Sequence, residues 1–169
     1  MTINQRVKVD DVVDAFTKHM KLPRKFVRQV VAAEKAHDRI ASAKPVSPPL
    51  TPRALARLIL AMTAPSVGRA VDTEKSIGAL PLAVGDGQPD VETHLTDIVE
   101  EACGWRYGDS DFRDGTFLVG HDNGTVVAGS DTYRSKMPEQ PGMLKFTLVH
   151  NRAIAAIARE LLPNERGVA

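Results

Sequence analysis

Apolar residues change their period part-way along this chain, and that change restricts the folds open to it. Up to Cys103 they recur at helical spacing, whereas between Thr116 and Val149 they fall in short strand-like runs before a helical period returns. The first helical stretch runs roughly from Val9 to Ile40. It is followed by Ala41–Leu50, whose Pro45, Pro48 and Pro49 cannot continue a helix. Thr51-Pro52 then reads as a hydroxyl N-cap with proline at the first helical position. The run Ala54–Met62 behind it is apolar on nearly every side, which predicts a buried helix. A short helix over roughly Val67–Leu80 and another over Val91–Cys103 follow, separated by the loop Gly85–Pro89. Thr116–Gly120 and Thr125–Ala128 flank Asn123-Gly124, a strong hairpin signal, and Leu144–Val149 alternates as a third strand. Asn151 reads as the cap of a closing helix, Arg152–Leu162, which Pro163 ends. The expectation is an α+β protein with a helical front, further helices and a small antiparallel sheet.

Charge divides the chain in a second way. Residues 1–57 carry twelve basic and five acidic residues, a net +7, and residues 58–169 carry ten and sixteen, a net −6. A basic segment of this kind attracts polyanions, with nucleic acid the commonest. Three exclusions follow from composition. No apolar run reaches the ~20 residues of a membrane span, and MTINQRVKVDDVV lacks the apolar core of a secretory signal. Cys103 is the only cysteine, so neither an intrachain disulfide nor a thiolate zinc cluster can form, and a cytoplasmic setting is expected.

Within the basic front, Phe16–Val30 has the offsets of two helices sharing a small core across a tight turn. Phe16 and Met20 face inward from the first helix, Leu22 plugs the turn, Pro23 opens the second helix, and Val27 and Val30 face inward from it. This pattern resembles the helix-turn-helix of bacterial and phage DNA-binding proteins, which favours a small residue where this chain has Thr17 and glycine where it has Lys21. The resemblance implies that Arg24, Lys25, Arg28 and Gln29 enter the major groove. There arginine can donate two bonds to guanine and glutamine can pair with adenine, while lysine holds phosphate. Lys18 and Lys21 are candidates for backbone contacts. More broadly, residues 9–82, with Leu50–Met62 after the proline-rich linker, look like uncharacterised phage and prophage proteins of α-proteobacteria.

Catalytic constellations are harder to find. His19, His37, His94, His121 and His150 are far apart in sequence, and no HExxH or CxxC motif occurs. Cys103 ends an apolar stripe and reads as a buried, inert thiol. The glycines at 85–87 and 120–124 lack the lysine and strand-to-helix context of a phosphate loop. Seven acids between Glu92 and Asp114, scattered over a helix and a loop, read as a solvated acidic face. Trp105 and Tyr107 are either interface anchors or core, with core the stronger reading for Trp105.

The expected organisation is a helix-turn-helix DNA-binding region over 1–44, a proline-rich linker over 45–50 and an α+β domain over 51–169 for oligomerisation or partner binding. The expected function is that of a non-enzymatic, phage-encoded transcriptional regulator that binds double-stranded DNA as a dimer or higher homo-oligomer. No cofactor, metal or membrane is involved in this reading. Two alternatives stand beside it. One is a phage small terminase subunit that recognises DNA for packaging; the other is a protein-interaction module or inhibitor acting through the acidic C-terminal domain.

Overall fold

A computed structural model describes residues 7–42, 48–83, 89–105, 115–121, 124–129, 131–134 and 145–162. Six helices and a four-stranded antiparallel sheet are found among them, an α+β fold. Parts of several expected features lie outside the described residues: the linker at 43–47, the loop at 85–88, the acids Asp109, Asp111 and Asp114, Tyr107, the hairpin tip Asp122-Asn123, Leu144 and Pro163.

The front is a pair of helices, α1 (Val9–Met20) and α2 (Arg24–Ala36). Asp11 accepts a hydrogen bond from the Lys8 backbone N–H at 2.7 Å, tying down the entry of α1, and Asp10 and Asp11 sit favourably at its positive end. The first helix ends at Lys21, which adopts φ 58°, ψ 27°, the left-handed region that favours glycine. Pro23 lies one position earlier than expected, in extended conformation just before α2 rather than inside its first turn. The second helix stops at Ala36, four residues short of the expected end. Asp38 takes a positive φ of 54°, its N–H bonds to Lys35 O, and Arg39 N–H bonds back to Glu34 O at 2.9 Å. These paired bonds satisfy the last carbonyls of α2 and fold Arg39 back alongside it.

Thr51 caps α3 (Pro52–Met62) as expected, its Oγ1 accepting from Ala54 N–H at 3.1 Å with Pro52 at the first position. Leu55, Ala56, Leu58, Ile59, Leu60 and Ala61 are all fully buried, so this helix is the centre of the core. A 3-10 turn (Val67–Arg69) leads into α4 (Ala70–Gly78), and α5 (Val91–Ala102) starts behind Asp90, whose carboxylate accepts from Thr93 N–H.

The sheet runs in the order β3 (Asp131–Arg134), β2 (Thr125–Ala128), β1 (Thr116–Gly120), β4 (Phe146–His150), with every pair antiparallel. Phe117 stands opposite Val149 and Val119 opposite Val126, and all four are buried on the helical side. Only the β3 strand went unread in the sequence: four residues with one buried side chain, Tyr133, carry too little alternation to register. The closing helix α6 (Asn151–Leu161) buries Ile154, Ile157, Ala158 and Leu161. Asn151 is not its cap. His150 occupies that position, and Asn151 is the first helical residue, buried, donating its backbone N–H to Gly115 O at 3.0 Å. Trp105 is likewise not core, since 42% of it is exposed. Buried residues of the front helices, of α3 to α6 and of the sheet form one continuous cluster.

Candidate nucleic-acid interface and the charge cluster behind it

The inward residues of the front pair are where the spacing puts them. Phe16, Val27 and Val30 are fully buried, and Met20 and Leu22 pack partly buried against the same core. Thr17, at the position where the resembled family prefers a small residue, has its Oγ1 buried without a hydrogen-bond partner. On the opposite side Arg24, Lys25, Arg28 and Gln29 are exposed across the first half of α2, and Lys21 is exposed in the turn before them.

These cations are accessible but not all unengaged. Arg24, 54% exposed, is bonded to Asp14, and Arg28, 59% exposed, donates to Asp10 at 2.6 Å. Both acids belong to α1, so the two helices are laced together along the very face that would meet DNA. Solvent-exposed pairs of this type are worth at most about 1 kcal/mol each and exchange partners readily. Lys18 is drawn away from that face altogether. It bonds to Glu160 of α6 at 2.9 Å, and His19 approaches the same carboxylate oxygen at 2.8 Å. The hydrogen bonds from Lys18 and His19 hold the Glu160 carboxyl below its ordinary range.

Behind α2 lies a cluster that sequence reasoning missed. Arg39 grips Glu74 of α4 with two bonds, Nε to Oε2 at 2.7 Å and Nη2 to Oε1 at 2.9 Å. Arg57 grips Glu92 of α5 the same way at 3.2 and 3.1 Å, and its remaining nitrogen donates to the Arg39 carbonyl at 2.9 Å. Arg53, one turn before Arg57 on α3, also bonds to Glu92. Forked arginine–carboxylate pairs of this geometry are among the strongest charge-assisted contacts. Burial pushes the Glu92 carboxyl up, but the bonds from Arg57 and Arg53 outweigh it and hold it below the usual range. The Glu74 bond raises Arg39 against the opposing effect of its burial. Glu92 is therefore not part of a solvated acidic face.

Glu34 completes the cluster and is its weak member. It is fully buried, neither carboxyl oxygen has a hydrogen-bond partner, and its pKa is pushed up to about 7 by burial and by the neighbouring charge of Glu74. Its place in the row Val27–Val30–Val31–Glu34, at helical spacing on the buried side of α2, was the available signal. Arg53 and Arg57, four residues apart on an otherwise apolar helix, were another.

Several other polar groups of the interior have local partners, whereas Asn151 Oδ1, like Thr17 Oγ1, is buried without a hydrogen-bond partner. His94 meets the Tyr133 hydroxyl edge to face, and burial lowers the His94 pKa while raising that of Tyr133 to about 12. His121 Nε2 lies 2.7 Å from Thr147 Oγ1. Cys103 is buried against Ala158 O, and burial pushes its thiol to about 11, so little nucleophilic thiolate exists near neutral pH. Among the described residues no group of three or more His, Cys, Asp or Glu side chains is placed to hold a metal ion, and no helix is long and apolar enough to cross a membrane. No family model, curated protein or solved structure matches this chain.

Proposed function

We infer that this chain is a non-enzymatic DNA-binding protein that reads duplex DNA through α2, in the manner of a helix-turn-helix regulator. The observation that carries this reading is the division of one helix. Val27 and Val30 are wholly buried, while Arg24, Lys25, Arg28 and Gln29 share an accessible face near its N-terminus. The left-handed Lys21 in a three-residue turn adds to it, because a turn of this kind sets the second helix across the first. Arg28 and Gln29 would address base edges, and Lys21 and Lys25 would hold phosphates. Asp10 and Asp14 act against binding. They must release Arg28 and Arg24 as the phosphates approach, and they repel the backbone themselves.

This competition supplies the test. In filter binding with genomic fragments at two salt concentrations, Arg24→Ala/Arg28→Ala should lose well over tenfold in affinity, since a bidentate arginine–guanine pair is worth about 1–3 kcal/mol. Asp10→Asn/Asp14→Asn should bind more tightly, by as much as about thirtyfold if each freed guanidinium recovers up to ~1 kcal/mol. Unchanged affinity in the arginine variant, with its circular dichroism intact, would defeat the proposal. So would steep salt dependence with no preferred fragment, which would leave only generic polyanion attraction. The mass of the protein in solution separates the two DNA-binding roles, a dimer favouring a regulator and a closed ring favouring DNA packaging.

A further inference from the structure

Among the described residues the outer edge of β4 has no neighbouring strand. His121 N–H donates to Lys145 O at 3.1 Å and Asn151 N–H donates to Gly115 O at 3.0 Å. Antiparallel alternation then turns the backbone groups of Thr147 and Val149 toward β1 as well. The N–H and C=O of Phe146 and Leu148, with the N–H of His150, are left on the outer edge. Among the described residues no strand pairs with them, and the sheet order ends at β4. Their side chains are unusual too. Phe146 is 47% and Leu148 48% exposed, two of the three large apolar side chains that stand out in solvent among the described residues.

Beyond this edge lies a groove of about 270 Å³ rather than flat surface. Its far wall is the α1–α2 turn, and Met20, Leu22, Ile59 and Met62 give it an apolar lining. Lys21 and His19 stand on that wall and His150 on the strand side, with exposed Lys145 immediately before β4. No acidic side chain lines the groove among the described residues. The Glu160 carboxylate, which contacts the groove residue His19, is also held by Lys18.

We propose that β4 and the α1–α2 turn form a strand-addition site for an extended peptide with alternating apolar residues and acidic flanks, supplied by another protein. Main-chain bonds to Phe146 and Leu148 provide the affinity, and the groove receives alternate side chains. Charge complementarity selects the occupant. A second copy of this chain would bring its own Lys21 and Lys145 to the same interface, which disfavours pairing of like edges, whereas carboxylates at the ends of a peptide would meet both lysines. An unprotected edge with apolar side chains is otherwise a liability that proteins blunt with bulges, prolines or a covering element. This site is independent of the DNA-binding reading except that Lys21 borders both.

The test uses the full chain and a short blocked peptide of alternating valine and threonine flanked by glutamates, compared with the same peptide flanked by lysines. Fluorescence anisotropy should show saturable binding of the first and at least about tenfold weaker binding of the second, a difference of ~1.4 kcal/mol or more. Hydrogen exchange should slow at the Phe146, Leu148 and His150 amides on binding. Methylating alternate peptide nitrogens should abolish the complex, and Leu148→Asp should weaken it without changing the melting temperature, because that side chain already faces solvent. Equal affinity for the two peptides, protection arising elsewhere in the chain, or no binding at all would overturn the proposal. Concentration-dependent protection of the same amides without peptide would overturn it in favour of a second copy.

Discussion

Glu34→Gln should leave stability nearly unchanged at pH 4 and raise it by about 3 kcal/mol at pH 8, at ~1.4 kcal/mol per unit of pKa displacement. Burial and the Glu74 charge push the carboxyl up to about 7 in the folded chain, against an ordinary value of 4.5. Between those two pH values the folded state therefore holds a proton that the unfolded state has released. Stability contributed by this group is complete below 4.5 and is lost as pH rises through 7. Other groups have the opposite sign. His94, Glu92 and Glu160 all have lowered values, so each contributes stability that disappears as pH falls. Subtracting the wild-type urea-unfolding curve from that of the variant isolates Glu34, since glutamine matches the shape of the protonated acid and cannot ionise. The difference should climb from pH 4 to pH 7 and then level off. A flat difference would mean that water or a partner group satisfies the carboxylate and that its burial carries no cost.

The partner cluster should respond in the other direction. Glu92→Ala removes the carboxylate shared by Arg57 and Arg53, and should cost about 3–5 kcal/mol, the usual consequence of leaving a part-buried guanidinium uncompensated. Arg53→Ala should cost less than ~1 kcal/mol, because its side chain is 65% exposed and its charge is well hydrated. Replacing Glu92 and Arg57 together with methionine and leucine should recover most of the loss, since an apolar pair of similar volume needs no desolvation of charge. Urea denaturation at pH 7 with unchanged m-values would measure all three. A loss below ~1 kcal/mol for Glu92→Ala would show that Arg57 finds an adequate alternative in Glu74, 3.7 Å away.

Local signals in this chain were legible where one residue type has one mechanical use. Thr51-Pro52 starts a helix by filling two positions that few other residues fill so well, and the strands flanking Asn123-Gly124 pair antiparallel with each other. The apolar stripe of α6 needed no more than its spacing. Other features were illegible because their cause is remote in sequence. The Glu92 carboxyl is buried only because α3 delivers two arginines from 35 and 39 residues away. Trp105 is solvent-exposed because α5 has already ended and the core is closed by smaller side chains. Asn151 has the chemistry of a cap, but pairing of β4 with β1 continues one residue further than the hydrophobic pattern suggests and uses its N–H. For the candidate interface the outward face of α2 followed from spacing alone, whereas the acids that restrain Arg24 and Arg28 depend on how α1 lies beside it.

Pairing between the two halves also sets how the molecule looks from a distance. Arg39, Arg53 and Arg57 are matched by Glu74 and Glu92, and Lys18 by Glu160, so the +7 and −6 halves do not act as separated poles. Among the described residues these pairs offset part of the charge separation that the linear map implies. The field of the paired groups fades within a Debye length, about 8 Å at physiological ionic strength. An approaching polyanion thus gains little orientational guidance before contact. Its encounter rate should fall near the unsteered range of about 10⁵–10⁶ M⁻¹s⁻¹, with discrimination arising after collision rather than before it.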